Sequence, residues 1–231
     1  MSEGKQKRPG NWLKTTLRIL LRPRGKAAFL HSLPENSKLL DAGCGNNSPY
    51  ICKGHRPDLF YVGIDVGDYN QTVPVNEYAD RYIVVTSDTF PAEIRMMVNE
   101  FDAVISSHNI EHCDAPIETL KALLLSLKNE GRIYLSFPCQ ESVAFPRRKG
   151  TLNFFDDPTH RWRPDLAIIL DTVRAEGFRI EFLAPRYRPL FFALIGLFLE
   201  PLSFILKRNM PWGSTWALYG FETVIWASRR I

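Results

Sequence analysis

The sequence has few of the residues that build cross-linked or metal-bound scaffolds. Its four cysteines include no CxxC pair and have no histidine-rich partner segment; they are Cys44, Cys52, Cys113 and Cys139. This pattern argues against a disulfide framework and against a zinc site. We therefore expect reduced thiols, no bound metal ion and a cytoplasmic protein. Lys14 and Arg18 support this location, because they interrupt any apolar core of a secretory signal.

The chain also lacks a strong charge bias and an apolar run long enough to span a bilayer. A formal net charge of +4 over 231 residues is too small to indicate nucleic acid binding by itself. The most apolar run, 190–206, is shorter than the roughly 20 residues that a membrane span needs. Glu200 and Pro201 also interrupt it. These features favour a globular protein with one unusual apolar segment.

The length predicts one domain with room for an appendage. Basic residues crowd the first 30 positions against the single acid Glu3; they are Lys5, Lys7, Arg8, Lys14, Arg18, Arg22, Arg24 and Lys26. We divide the chain into a basic amphipathic N-terminal extension, 1–34, and a main domain, 35–231. The main domain carries an apolar insertion at about 186–216.

The segment 38–50, KLLDAGCGNNSPY, predicts a strand, an acidic residue, a glycine-rich turn and a helix start. This order is typical of the first crossover of a nucleotide-binding α/β domain, where glycine permits close approach to a ligand. A dinucleotide enzyme would carry a third glycine at position 48, where this chain has Ser48. Asp41 would repel a pyrophosphate but suits a ligand with an ammonium and a sulfonium group, such as S-adenosylmethionine (SAM).

Further motifs follow in a fixed order. YVGID ends a second strand at Asp65, about one βαβ unit after Asp41, where an acid meets ribose hydroxyls. FDAVISSH at 101–108, NIEH at 109–112 and GRIYLSFP at 131–138 come next. In this order the segments resemble the class I SAM-dependent methyltransferases, particularly the type 11 group that acts on small molecules and lipids. The resemblance covers roughly 39–182 and a closing strand near 223–228.

The resemblance implies an α/β fold, Rossmann-like, with a seven-stranded mostly parallel sheet and helices on both faces. It also implies SAM as cofactor. By resemblance, Asp41, Gly43 and Gly45 hold the methionine portion, Asp65 the ribose and Asp88 the adenine edge. Ser107 and His108 lie beneath the cofactor.

Helix signals complete the expected order of elements. We predict a helix that Asn11 caps and that ends near Leu21, and further helices over 91–99, 116–128 and 164–176. The last would start at Pro164, and a turn at 129–131 would lead into the fifth strand.

The expected chemistry is methyl transfer to a small or lipid-linked acceptor, most simply to a hydroxyl. Histidine titrates nearest neutral pH, so His108, His112 and His160 are candidate bases, and we favour His112 and His160. His112 follows the fourth strand at the carboxyl edge of the sheet, and His160 lies in the long loop 139–163. Each could instead be a buried hydrogen-bonding residue or could orient the acceptor, and Glu111 could be a carboxylate at a helix N-terminus.

The insertion departs from the family pattern. We expect 190–206 to form a helical hairpin or a bent helix that dips into one leaflet, with the basic helix 11–22 as a second membrane contact. The protein would then be peripheral on the inner face of the membrane. The alternative is a lid that covers the domain or a homodimer partner. A catalytically silent SAM-binding or partner-binding module is the other functional interpretation, and no motif supports a nucleic acid partner.

Overall fold

A computed structural model describes residues 12–229, and a seven-stranded sheet forms its centre. The strands are β1 (Lys38–Ala42), β2 (Phe60–Asp65), β3 (Arg81–Val84), β4 (Phe101–Ser107), β5 (Leu127–Pro138), β6 (Phe178–Ala184) and β7 (Glu222–Arg229). Their order is β3-β2-β1-β4-β5-β7-β6. The pairs from β3 to β5 are parallel, and β7 is antiparallel to both of its neighbours. The predicted Rossmann-like, mostly parallel sheet is confirmed.

Eight α-helices accompany the sheet within the described residues. They are α1 (Trp12–Leu21), α2 (Lys26–His31), α3 (Ser48–His55), α4 (Phe90–Arg95), α5 (Pro116–Leu125), α6 (Leu166–Ala175), α7 (Leu190–Leu206) and α8 (Ser214–Tyr219). Asn11, the expected cap of α1, lies outside the described residues.

Successive side chains of the central strands enter two separate cores, as alternation along a strand requires. Leu40 packs with α4, α5 and α6 on one face, and Leu39 packs with Phe29 and Leu30 of α2 on the other. A sheet buried on both faces explains why its strands read as nearly continuous apolar runs.

The segment before β1 is part of this packing. The Tyr187 hydroxyl donates to the carbonyl of Pro23 at 2.6 Å, and Nε1 of Trp226 donates to the carbonyl of Arg24 at 2.9 Å. Phe29 and Leu30 are completely buried. Residues 23–30 are therefore held against β7 and the segment that follows β6. The division of the chain at residue 34 stays a prediction.

Four predicted boundaries are wrong. Helix α5 ends at Leu125 and not at residue 128, because β5 begins at Leu127. Helix α4 ends at Arg95 and not at residue 99, and the chain then turns before β4, with a φ of +53° at Asn99. β5 begins at Leu127, so the residues of the expected turn, 129–131, lie within this strand. The strand is irregular there, and Glu130 has a φ of +64°. Helix α6 starts at Leu166, because the Asp165 side chain accepts from two backbone N–H groups and is the N-cap.

The apolar insertion forms the continuous helix α7 and then the short helix α8, which packs against it. A Cβ added to Gly196 would lie 2.8 Å from Cβ of Leu218, so the two helices approach as closely as glycine allows. Leu197 and Phe198 on the outer side of α7 are 59% and 83% exposed. The domain thus covers only one side of α7. Within residues 12–229 no helix is both long and apolar enough to cross a membrane.

Candidate active site

The turn after β1 has a backbone that only glycine accommodates easily. Gly43 has a φ of +74°, and a Cβ built there would lie 2.6 Å from Oδ1 of Asn109 at the end of β4. Its N–H donates to the carbonyl of Ile64 at 2.9 Å. The turn is therefore held between the ends of β2 and β4, as the sequence motif predicts.

Asp41 is buried in a hydrogen-bonded network below this turn. Its Oδ2 accepts from the Ser48 hydroxyl at 2.5 Å, from the Tyr61 hydroxyl at 2.8 Å and from Nζ of Lys26 at 3.4 Å. Burial lowers the pKa of Lys26, but the charge and hydrogen bond of Asp41 together with the nearby thiols outweigh burial, and the pKa is raised. Oδ1 of Asp41 is buried without a hydrogen-bond partner in the described part of the chain. Asp41 thus anchors the first turn of α3, and its contact with a methionine portion stays a prediction.

Two further predicted acids stand at the carboxyl ends of β2 and β3. Asp65 is buried and its Oδ1 accepts from the N–H of Val66 at 2.7 Å. Burial raises the pKa of Asp65 to about 6, and the charge of Asp41 adds to this effect. Asp88 is exposed, and a hydrogen bond from the Thr86 side chain lowers its pKa. Their roles toward ribose and adenine stay predictions.

The loop after β2 crosses the glycine turn. The N–H of Asn46 donates to the carbonyl of Tyr69 at 2.9 Å, and Nε2 of Gln71 donates to the carbonyl of Cys44 at 2.9 Å. A Cβ built at Gly45 would lie 3.1 Å from the Tyr69 carbonyl oxygen. Gly45 is therefore needed for the close approach of this loop.

His108 joins the end of β4 to the start of β7. Its Nδ1 lies 3.1 Å from Oε1 of Glu111, and its Nε2 lies 3.0 Å from Oε1 of Glu222. The ring stacks on Phe221 and contacts Trp216. Burial lowers the pKa of His108, but the hydrogen bonds and charges of the two glutamates raise it to about 10. His108 is thus held, largely out of water, between two carboxylates that favour its protonated form. The neighbouring Ser107 shares a hydrogen bond between its Oγ and that of Ser136 at 2.8 Å.

The two predicted bases lie side by side. The rings of His112 and His160 are 4.8 Å apart. Nδ1 of His160 lies 2.6 Å from the carbonyl oxygen of Phe154, and Nδ1 of His112 lies 3.2 Å from that of Thr159. A carbonyl only accepts, so each Nδ1 carries a hydrogen, and in the neutral form of each ring Nε2 holds the lone pair.

A cavity of about 150 Å³ brings these groups together. It is lined by Asn46, His108, Glu111, His112, Thr151, Asp157, His160, Trp216 and Phe221. Trp216 comes from the end of the insertion and Phe221 directly precedes β7. Nε1 of Trp216 donates to the carbonyl of Thr151 at 2.6 Å. The sequence prediction missed these two aromatic residues and Glu222, because no spacing pattern connects them with the motif at 109–112.

The acids at this sheet edge are compatible with SAM. Asp65 ends β2, the position at which an acid can accept hydrogen bonds from ribose hydroxyls in an open α/β sheet. Oδ2 of Asp65 lies 3.7 Å from the position that a Cβ of Gly45 would take, so the acid borders a turn without side-chain bulk. The strand order, the glycine turn and these acids define a class I SAM-dependent methyltransferase.

Comparison with known proteins agrees with this class. A family model described as a methyltransferase domain matches residues 7–181, and the chain belongs to that family. It is an enzyme that uses SAM as cofactor.

Solved structures with the same fold have low sequence identity. A methyltransferase chain in complex with the Trm112 methyltransferase activator, from Haloferax volcanii, has a TM-score of 0.62 at 14% identity, covering 94% of this chain and 90% of that chain. A SAM-dependent methyltransferase from Mesorhizobium loti has a TM-score of 0.58 at 14% identity, with coverage of 90% and 100%. One from Archaeoglobus fulgidus has a TM-score of 0.52 at 18% identity, with coverage of 94% of both chains. At these identities the likeness shows the fold alone.

A curated relative is similar over a short segment. The tRNA (carboxymethyluridine(34)-5-O)-methyltransferase of Arabidopsis thaliana is 52% identical over 40 residues. The match spans 17% of this chain and 9% of the relative's length.

Proposed function

We propose that the protein methylates a hydroxyl of a small or lipid-linked acceptor, of the envelope-glycan or isoprenoid-quinone type, at a membrane surface. The observation that carries this proposal is the position of the cavity beside the apolar insertion. Trp216 of α8 lines the cavity, and α8 packs directly on α7 at Gly196. An acceptor with an apolar tail can therefore lie along α7 while its polar end enters the cavity.

The charges around α7 match an anionic surface. Lys207 and Arg208 are exposed and follow directly after the last apolar turn. At the other end Arg22 covers the ring of Phe192 at 4.5 Å and its Nη2 donates to the carbonyl of Trp212. A basic residue near an anionic leaflet contributes about 1 kcal/mol. The proposal thus places the protein in the cytoplasm, peripheral on the inner face of the membrane.

A histidine of this chain can accept the proton of the acceptor hydroxyl. When bound, SAM supplies a methyl group on a positively charged sulfur, so the bond from the acceptor oxygen forms as the carbon–sulfur bond breaks and its electron pair stays on sulfur. The hydroxyl must lose its proton, and Nε2 of His112 or of His160 can accept it. Such a base contributes about 10²–10⁴-fold to turnover.

The test uses SAM labelled in its methyl group. The purified protein is incubated with a membrane lipid extract, and label in the lipid fraction supports the proposal. His160→Ala should lower this transfer by about 10²-fold or more, whereas the control His31→Ala, which changes a surface histidine outside the cavity, should not. Mass spectrometry of lipids and glycans from cells with and without the protein then names the acceptor. Absence of label from lipids and glycans would overturn the proposal.

A second candidate acceptor is tRNA, favoured by the 40-residue similarity to the plant tRNA methyltransferase. The same labelled reaction with total tRNA distinguishes the two. Label in tRNA, with none in the lipid fraction, would select this candidate.

A further inference from the structure

We propose that Glu111, His112 and His160 bind one divalent transition-metal ion in the cavity. One ligand atom from each of the three residues lies within 4.8 Å of the others. Ligands about 2.0–2.2 Å from an ion lie at most about 4.4 Å apart. A movement of a few tenths of an ångström would therefore bring the three ligand atoms to bonding distance from one ion. The sequence does not show this group, because His160 lies far from the adjacent pair Glu111 and His112.

Both imidazoles are already oriented as metal ligands. In each ring Nδ1 donates to a backbone carbonyl, at 2.6 Å in His160 and 3.2 Å in His112. The Thr159 hydroxyl, which donates to Oδ1 of Asp157 at 2.6 Å, can accept from Nδ1 of His112 at 3.0 Å. Such contacts fix the tautomer and leave the Nε2 lone pair for an ion.

Glu111 supplies a carboxylate oxygen without another partner. The residue is completely buried and lines the cavity. Its Oε1 is held by His108, while its Oε2 is buried and has no hydrogen-bond partner among residues 12–229. Buried polar atoms normally have a partner, so this oxygen, on a residue that lines the cavity with two imidazoles, is available to bind a cation.

Neighbouring acids strengthen the preference for a cation. Nε2 of His108 is held by Glu222 at 3.0 Å, so this histidine fixes one oxygen of Glu111 and directs the carboxylate. Oδ2 of Asp157 lies 3.9 Å from Nε2 of His160 and borders the same space. Two imidazole nitrogens and one carboxylate oxygen favour an ion of the Zn²⁺, Fe²⁺ or Mn²⁺ type over Mg²⁺ or Ca²⁺.

The ion would also activate the acceptor hydroxyl, and this part of the inference rests on the proposed function. Three protein ligands leave coordination positions open for the acceptor hydroxyl, whose pKa a bound metal lowers. The hydroxyl would pass its proton to water, and its oxygen would bond to the methyl carbon as the carbon–sulfur bond breaks and the electron pair stays on sulfur. His112 and His160 act as ligands in this form and not as proton acceptors, because the metal occupies their lone pairs.

The test measures metal binding without any acceptor. Metal-free full-length protein is titrated with CoCl₂, followed by visible absorption and by calorimetry. We expect one Co²⁺ per chain. Because loss of an outer-shell partner alone weakens metal binding by about 10–100-fold, Glu111→Gln, His112→Ala and His160→Ala should each weaken it by at least about that much. The matched control is His31→Ala, since the rings of His31 and His55 form the other close histidine pair of the described chain, and this variant should bind Co²⁺ as the parent does.

Each outcome has a defined meaning. SAM binding and thermal unfolding confirm that the variants are folded, and His112→Ala and His160→Ala keep the test valid if the buried change Glu111→Gln prevents folding. No saturable binding, or unchanged binding in all three variants, would overturn the proposal. So would loss of binding in His31→Ala, or a sulfur-to-cobalt charge-transfer band that places the ion on Cys113. Binding of Co²⁺ without any methylated acceptor would leave the metal site standing and refute only the proposed function.

Discussion

Nε2 of His108 lies 3.0 Å from Oε1 of Glu222 although 114 positions separate the two residues. Burial raises the pKa of Glu222, but the hydrogen bond and charge of His108 outweigh it and the pKa is lowered. The raised pKa of His108 contributes stability that is complete below 6.5 and is lost as the pH rises through about 10. The lowered pKa of Glu222 contributes stability that is complete above 4.5 and is lost as the pH falls through its folded value. The pair therefore stabilises the fold most between these two unfolded-state values.

Glu222→Gln should destabilise the protein strongly near pH 6. Both side chains are partly exposed, so removing one partner of this charged hydrogen bond should cost about 1.5–3 kcal/mol, and the loss should shrink as the pH approaches 10. Urea unfolding at several pH values measures the effect. The control Glu118→Gln, in an exposed ion pair with Arg95, should change stability little. A pH profile of the Glu222 variant parallel to that of the parent would contradict this account.

Asp65→Ala should weaken SAM binding while the protein remains folded. A hydrogen bond to a charged group is worth about 1.5–3 kcal/mol, which corresponds to roughly a 10–100-fold loss of affinity. Calorimetry with SAM measures it. Asp171→Asn removes a carboxylate from the exposed face of α6 and should bind SAM as the parent does. Equal affinity of Asp65→Ala and the parent would remove Asp65 from the cofactor site.

Tyr61→Phe should destabilise the glycine turn by weakening the hydrogen-bonded network around Asp41. The change removes the 2.8 Å hydrogen bond to Asp41 and leaves a buried carboxylate with one donor fewer, at a cost of about 1–3 kcal/mol. Lys26→Met should cost more, since it removes the cation of a buried pair. Thermal unfolding measures both, with the exposed Tyr50→Phe as control. If the control is equally destabilised, the network does not anchor the turn.

Gly196→Ala and Gly54→Ala should have opposite effects although both glycines are helical. A Cβ at Gly196 meets the Ser214 carbonyl and Leu218 Cβ, whereas a Cβ at Gly54 has no atom within 4 Å. Overpacking costs about 1–3 kcal/mol, while alanine in an open helix position gains about 0.5–1 kcal/mol. Chemical denaturation compares the two. Destabilisation by both changes would show that helix packing is not the cause.

Vesicle flotation tests what covers α7. The protein should float with anionic vesicles at low salt, and Leu197→Asp with Phe198→Asp should abolish this while SAM binding stays intact. Burying each such side chain is worth about 1.5–3 kcal/mol. The control is Met96→Asp with Val98→Asp, which adds the same charge at exposed residues far along the chain. A parent protein that stays in the soluble fraction as a dimer would indicate a second copy on α7, and a soluble monomer would refute the membrane contact.

The sheet was predictable because its signals are local. Each central strand is a short apolar run, and the acids Asp41 and Asp65 with the glycines at 43 and 45 mark where two of these strands end. The boundaries of α6 and β5 failed because a cap at Asp165 and a positive φ at Glu130 depend on tertiary placement.

The cavity was only half predictable. His112 and His160 could be named as candidates, but nothing local places their rings 4.8 Å apart. Glu222 and Trp216 reach the site only after the insertion has folded back over the edge of the sheet. The apolar sequence of α7 predicts that every side of this helix is buried. The structure shows a packing partner, α8, on one side only.

The position of β7 in the sheet has a consequence for how the chain folds. β7 is the last strand of the described chain, yet it lies between β5 and β6, and β6 has no other strand neighbour there. During synthesis from the N-terminus, β6 and the apolar helix α7 are made before the strand that holds them in place. Such long-range pairing is slow, and apolar surface exposed meanwhile promotes aggregation. The nascent chain therefore passes through a stage in which the surface of α7 is unsupported, and a chaperone or an early membrane contact would shorten that stage.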